Sequence, residues 1–292
     1  HETGWHDYLG GPISGWEHHY SSHIKNANVY AEASRWAAGL YPDNVIRIPR
    51  EEREPESHDI LYLISTTTNH NMLTDLTLDV DVNLRVLLET LEYCKNEKIT
   101  FNYVSTGFVY GADIIDAKET DVCDPRGFYS ITKRTAEQLV ISFCEVNEVN
   151  YRIMRIANVY GQDKTVSPKK NVLGFLIGLM REHKDLTLYN NGDDLRDYMH
   201  VIDICRALKT VIDRGELNSI YNIASGYPLP FRNILEMVRD NLGSRSEFIP
   251  VSTPRFNQLV QPKNFSLDVS KLKSLRFIQS IALEEGLKII CE

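Results

Sequence analysis

Three short, almost uninterrupted apolar runs separated by two long helical patterns constrain this chain more than any other feature. Asp59–Ile64 (DILYLI), Ile99–Ser105 (ITFNYVS) and Tyr151–Ile156 (YRIMRI) have the length and the aromatic and β-branched content of strands. Between them, helical spacing covers about Leu78–Asn96 and Tyr129–Glu148. A strand that is apolar on both faces belongs to a parallel sheet covered on both sides, because a half-solvated strand would alternate. Two shorter runs, Asn28–Ala31 and Val45–Ile48, continue the alternation upstream, and the polar stretch Pro49–His58 reads as a solvated loop. The expected fold is α/β, a doubly wound parallel sheet. Beyond about residue 160 the pattern breaks into mixed short elements: helices at Asn171–His183, Ile202–Arg214 and Phe231–Leu242, and a strand at Leu186–Tyr189. That predicts a smaller α+β part built onto the sheet, with a ligand crevice between the two at the strand C-termini.

Charge and cysteine content narrow the function. Acidic residues outnumber basic ones by 40 to 32, a net charge of −8, so a general nucleic-acid binder with a basic face is excluded. The five cysteines, Cys94, Cys123, Cys144, Cys205 and Cys291, include no CxxC pair, which argues against a zinc ribbon or a disulfide framework. His18, His19 and His23 lack a third ligand at metal-binding spacing and read as a solvated helix face, so no metal is expected. No apolar run approaches the ~20 residues of a membrane helix, and His1–Trp16 lacks the apolar core of a signal peptide. A cytoplasmic protein is expected.

Two segments carry chemistry. Val104–Gly111 (VSTGFVYG) closes a predicted strand, and Tyr129-Ser130-Ile131-Thr132-Lys133 opens a predicted helix. A Tyr and a Lys four apart share a helix face, so the ammonium can lower the phenol's pKa and make it a general base toward a substrate hydroxyl. Thr106 can hold the same oxygen. The spacing alone is not specific, since Tyr160 and Lys164 repeat it in a predicted loop. The strand, turn and helix context singles out the first pair.

These segments, in order with several others, resemble the extended short-chain dehydrogenase/reductase family and in particular its nucleotide-sugar epimerases. VSTGFVYG is similar to the family's Ser-Ser/Thr-x-x-Val-Tyr-Gly segment, YSITK to its Tyr-x-x-x-Lys pair, and MRIANVYG (Met154–Gly161) to the next strand end. LRDYMHVIDICRA (Leu195–Ala207) resembles the Arg-Asp-Tyr/Phe-x-His-Val-x-Asp stretch and YNIASG (Tyr221–Gly226) the Tyr-Asn-Ile-x-x-Gly stretch. The resemblance runs from about Asp59 to Gly226. It implies a Rossmann-type dinucleotide-binding domain at residues 1–160, with 195–215 packing back onto it, and a substrate-binding domain at 161–292. It implies Thr106, Tyr129 and Lys133 as the catalytic set, and a nicotinamide cofactor that takes a hydride from a sugar carbon and returns it to the other face.

The resemblance also assigns binding roles. Gly4, Tyr8, Leu9, Gly10, Glu32, Ser65, Asn83, Tyr129 and Lys133 are expected to hold the cofactor. Glu32 favours NAD, while Arg35 leaves NADP possible. Thr66–Thr68 and Asn69 are expected either to hydrogen-bond the cofactor or to shape a turn. A nucleotide-diphosphate sugar is expected to meet Thr106, Asn158, Arg196 and Arg255; Arg196 either neutralises its diphosphate or pairs with Asp193 or Asp194. His200 is expected to be a structural hydrogen-bonder. A homodimer through the helices near Leu84–Cys94 and Thr132–Cys144 is implied as well.

Two departures matter. In the loop Thr3-Gly4-Trp5-His6-Asp7-Tyr8-Leu9-Gly10, Asp7 replaces the glycine that lets backbone approach a pyrophosphate, and only His1 and Glu2 precede the loop where a first strand is expected. The family's 4,6-dehydratases carry Asp-Glu after the catalytic Thr, where this chain has Gly107 and Phe108. Epimerase chemistry is therefore expected, with a keto-sugar reductase or a non-catalytic cofactor-binding regulator as the alternatives.

Overall fold

In the computed structural model, which describes residues 57–95, 97–161 and 171–292, the apolar runs are neighbouring parallel strands. Strand β1 is Asp59–Tyr62, β2 Thr100–Thr106, β3 Asn150–Ile156 and β4 Ser219–Ile223, and they lie in the order β1-β2-β3-β4. Strands β2 and β3 pair along their whole length, from Thr100 opposite Asn150 to Thr106 opposite Ile156. Helix α1 runs Leu78–Val80, through a π-helical turn at Asp81–Arg85, to Val86–Tyr93. The others are α2 (Phe128–Val146), α3 (Val172–Arg181), α4 (Val201–Arg214), α5 (Phe231–Leu242), α6 (Arg255–Val260), α7 (Ser270–Ser274) and α8 (Leu283–Cys291).

Both faces of the sheet are covered. On one face, Leu87 and Leu91 of α1 and Ala136, Val140 and Cys144 of α2 bury Phe101, Tyr103, Tyr151 and Ile153. On the other, Ile204, Ala207, Leu208 and Val211 of α4 bury Val104, Met154, Ile156, Tyr221 and Ile223. Each fully buried side chain of this kind contributes about 1.5–3 kcal/mol. Alternate residues of β2 and β3 thus point to opposite but equally apolar layers, which is why the runs lack polar alternation.

The second part packs α3, α5 and α8 around Leu186 and Leu188, with Leu176, Met180, Leu235 and Leu287 in the shared core. Strand Leu186–Tyr189 pairs in parallel with Phe248–Val251. The chain crosses between the two parts more often than a single division at residue 160 provides. Ser219–Ile223 returns to the main sheet as β4, while Ile114–Ala117 leaves it to pair with Phe265–Leu267. Among the described residues, no helix is long and apolar enough to cross a membrane. None of their His, Cys, Asp and Glu side chains form a cluster that could hold a metal ion. The expected strands Asn28–Ala31 and Val45–Ile48, the loop residues Gly4, Asp7, Tyr8, Leu9 and Gly10, and His18, His19, His23, Glu32, Arg35 and Lys164 lie outside the described residues.

Candidate active site

The core stripe of α2 turns polar at its N-terminal end. Ala136, Val140 and Cys144 are buried at helical spacing, and the same buried face continues back through Glu137, Lys133 and Tyr129. Polar side chains on a core-facing stripe require partners or a function. Thr106 ends β2 beside them. Its Oγ1 accepts from the amide of Phe108 at 3.3 Å, capping the 3₁₀ turn Gly107–Tyr110, and its hydroxyl is near enough to the Tyr129 phenol to act on its pKa. The structure therefore brings Thr106, Tyr129 and Lys133 together at the C-terminal end of β2.

Their electrostatics differ from expectation in one respect. Lys133 does not lower the Tyr129 phenol. Burial pushes that phenol up to about 12, the Thr106 hydroxyl offsets this only in part, and the nearby Asp79 raises it further. The Lys133 ammonium is instead turned to the sheet, with Nζ donating to the Val104 carbonyl at 2.6 Å and lying 4.2 Å from the centre of the Tyr103 ring. Burial lowers it to about 7, opposed by the charge of Glu137. Sharing a helix face sets the spacing of two residues, but not where the end of a long side chain points.

Buried hydrogen bonds join the segments around the pair. Asn83, in the π turn of α1, accepts from the Thr66 amide at 2.8 Å and donates to Thr66 Oγ1 and Thr132 Oγ1, both at 2.9 Å. Ser65 Oγ adds a 3.1 Å contact to Asn83 Oδ1. With both donors and both acceptor positions satisfied by protein, Asn83 links the end of β1 to α2. Asn69 likewise bonds Ser130 and Val260, and Thr68 caps the 3₁₀ turn Asn69–Leu73 through the His70 amide. Asp79 accepts from Thr66 and Asn71 on Oδ1, while its buried Oδ2 has no hydrogen-bond partner among the described residues. Burial raises its pKa, which favours the neutral acid.

One turn further along α2, Glu137 is fully buried and accepts from Arg155 Nε at 3.0 Å, Arg155 Nη2 at 2.8 Å, Arg134 at 2.7 Å and the Ser105 hydroxyl at 2.6 Å. Sequence reasoning singled out none of Asp79, Thr132 or Glu137. The signal available for Glu137 and Thr132 was their position on the apolar stripe of α2.

The expected substrate residues are only partly gathered. Arg196 Nη1 donates to the carbonyls of Leu195 and Lys263 at 2.7 Å, and Nη2 lies 3.6 Å from Asp194. Asn158 donates to the Asp197 carbonyl at 3.1 Å. Asp197 is buried and accepts from the amides of Ser225 and Gly226, joining the RDYMH and YNIASG segments. His200 ends the strand Tyr198–His200 and caps α4 by accepting from the Ile202 amide, the structural role expected of it. Arg255 is exposed at the start of α6, without a partner among the described residues. A cavity of about 730 Å³ elsewhere is lined by Tyr227, Val269, Leu272, Lys273 and Phe277 and includes none of Thr106, Tyr129 and Lys133.

The site's donors suit the nicotinamide ribose of a dinucleotide. The Lys133 ammonium carries three N–H donors and Val104 takes one, so two remain without acceptors among the described residues. A vicinal diol would satisfy both.

The model of the NAD dependent epimerase/dehydratase family matches residues 52–224. The low-salt glycan biosynthesis protein Agl12 of Haloferax volcanii is 30% identical over 190 residues, which is 64% of this chain and 59% of that protein. The chain thus spans less than two thirds of that relative. The putative UDP-glucose 4-epimerase of Methanocaldococcus jannaschii is 25% identical over 222 residues, 75% of this chain and 70% of that protein. Among solved structures, UDP-glucuronic acid 4-epimerase from Bacillus cereus, in complex with UDP-glucuronic acid and NAD, aligns with a TM-score of 0.75 at 21% identity, covering 89% of this chain and 85% of that one. At that identity the likeness is one of fold, and the fold is the Rossmann-type doubly wound sheet.

Proposed function

We propose, because this chain belongs to the NAD dependent epimerase/dehydratase family, that it is an epimerase of nucleotide-diphosphate sugars with NAD as its bound cofactor. The observation that carries the reading is the neighbouring hydroxyls of Thr106 and Tyr129 at the end of β2, with the buried Lys133 amine one helical turn on. Bound NAD would take up the hydride of the sugar carbon and give it back. Thr106 and Tyr129 would grip the hydroxyl of that carbon from two sides, and Tyr129 would remove its proton and later return it. A phenol near 12 does not release its proton at neutral pH, so Tyr129 needs a positive charge beside it in the loaded site. Lys133 would supply that charge, and its unused N–H donors are the ones that would hold the ribose diol.

Packing separates this reading from dehydration. A side chain at Gly107 would begin with a Cβ 2.6 Å from the Phe265 ring, and the Phe108 ring meets Phe265 edge-on at 5.2 Å. The two positions that would hold the acid and base of water elimination are thus a bare backbone and a packed ring. The reading extends to a homodimer through α1 and α2, whose outer surfaces leave Leu88, Tyr93 and Ile131 about half exposed. It also extends to a cytoplasmic location, in keeping with five free thiols.

The test begins with mass spectrometry of small molecules released from the native protein, expected to yield NAD. Turnover of UDP-sugars follows, with Tyr129→Phe expected to lose about 10²- to 10⁴-fold in kcat. Failure of the full-length protein to bind NAD or NADP in calorimetry would overturn the reading. Stoichiometric NADPH consumption would replace it with a keto-sugar reductase.

A further inference from the structure

We propose that Asn69 is the positioning residue for Tyr129, capping α2 from outside the helix and tying its first turn to α6. The inference rests on Tyr129 being the reacting base, and its local part stands without that reading. Helix α2 begins after Gly127, which has φ +79° and no side chain with which to cap. The first amides of a helix need acceptors, and a Ser, Thr, Asp or Asn at the N-cap normally provides one. Here Asn69, 61 positions away, provides it: Oδ1 accepts from the Ser130 amide at 3.3 Å, and Nδ2 donates to Ser130 Oγ at 3.2 Å. Asn69 is only 1% exposed.

Gly127 and Asn69 are a matched pair. A Cβ at residue 127 would lie 2.5 Å from Asn69 Oδ1. The positive φ and the absent side chain therefore both serve the entry of the distant amide. The orientation of the amide is fixed, because Oδ1 faces an N–H and Nδ2 faces a carbonyl.

That carbonyl belongs to Val260, the last residue of α6, at 3.1 Å. Phe256 of α6 also meets the His70 ring at 5.0 Å, directly beside Asn69. Asn69 thus joins three pieces: the 3₁₀ turn after β1, the helix that carries the phenol, and the helix that begins at Arg255. Ser130 immediately follows Tyr129, so the bond that holds its amide also sets the phenol's height at the end of β2. Asn83 holds the opposite side of the same turn through Thr132.

The test uses the full-length protein with UDP-glucose as probe. Asn69→Ala is expected to lower kcat about 10- to 100-fold, the usual consequence of an ångström-scale misplacement, while NAD affinity stays within twofold of wild type. Asn69→Asp keeps the acceptor for the Ser130 amide and loses the donor to Val260. It is expected to restore most of kcat and to raise KM instead. A purely structural role would produce neither the split nor the rescue. Amide hydrogen exchange adds a readout independent of turnover: Asn69→Ala is expected to speed exchange at 128–131 and leave β2 and β3 unchanged. A kcat within twofold of wild type in Asn69→Ala, an Asn69→Asp variant no better than Asn69→Ala, or unchanged exchange at 128–131 each overturns the proposal. If wild type turns over no sugar nucleotide, the epimerase reading fails while exchange still decides the capping. If Asn69→Ala does not fold, exchange and thermal unfolding of Asn69→Asp decide it, with wild-type protection at 130 expected.

Discussion

Two cations lie buried in the neighbourhood of α2, and the protein treats them differently. Arg155 is 1% exposed and meets the carboxylate of Glu137 through two hydrogen bonds, with Ser105 and Arg134 completing the carboxylate's shell. Lys133 is 2% exposed and among the described residues has only a carbonyl and an aromatic face. Pairing raises the pKa of Arg155, while burial without a contacting carboxylate lowers that of Lys133. The first charge is fully engaged by the fold. The second keeps unused donors and an easily changed charge, which is the condition of a group kept for a ligand.

The largest expected effect tests the paired side. Glu137→Leu leaves Arg155 buried without a counter-charge and should cost about 3–5 kcal/mol in denaturant unfolding, with much of the loss recovered in the double variant Glu137→Leu/Arg155→Met. On the other side, Lys133→Met should reduce turnover by about 10²-fold or more yet leave thermal stability at pH 7 equal to or above wild type. A loss of stability matching that of Glu137→Leu would erase the contrast between the two cations.

The pH dependence sharpens the same point. With the folded Lys133 near 7 and the unfolded lysine near its ordinary 10.5, the unfolded chain binds more protons between those values. Stability of the ligand-free protein should therefore rise with pH from about 7 to 8, above which the buried thiols of Cys94, Cys144 and Cys205, held protonated by burial, act in the opposite direction. Equilibrium unfolding across that range should show the slope in wild type and a flatter profile in Lys133→Met. The smallest effect belongs to Arg134, which is 28% exposed at the rim of the Glu137 cluster. Arg134→Ala should cost only about 1 kcal/mol by urea titration, since water can replace its contact.

Legibility in the sequence follows the range of the interactions. The strands DILYLI, ITFNYVS and YRIMRI appear within two residues of their expected places because burial on both faces leaves a local apolar pattern. Strand Leu186–Tyr189 and helix Phe231–Leu242 match the expected bounds. Thr106, Tyr129 and Lys133 were legible because a strand end and a helix start carry them. The fully spent amide of Asn83, the orphan oxygen of Asp79 and the carbonyls that hold Arg196 were not, because their partners lie far along the chain or on the backbone.

By itself, then, the sequence determined the layered sheet, the order of its elements and which residues occupy the end of β2. Periodicity and residue type act over a few positions and are written into the chain. Only the tertiary structure decided that Lys133 faces Val104 rather than Tyr129, that Arg196 is held by carbonyls, and that a side chain 61 positions away caps the helix bearing the phenol. Those outcomes depend on where long or distant side chains find hydrogen-bond partners in a dry interior, and closure of the fold sets that geometry.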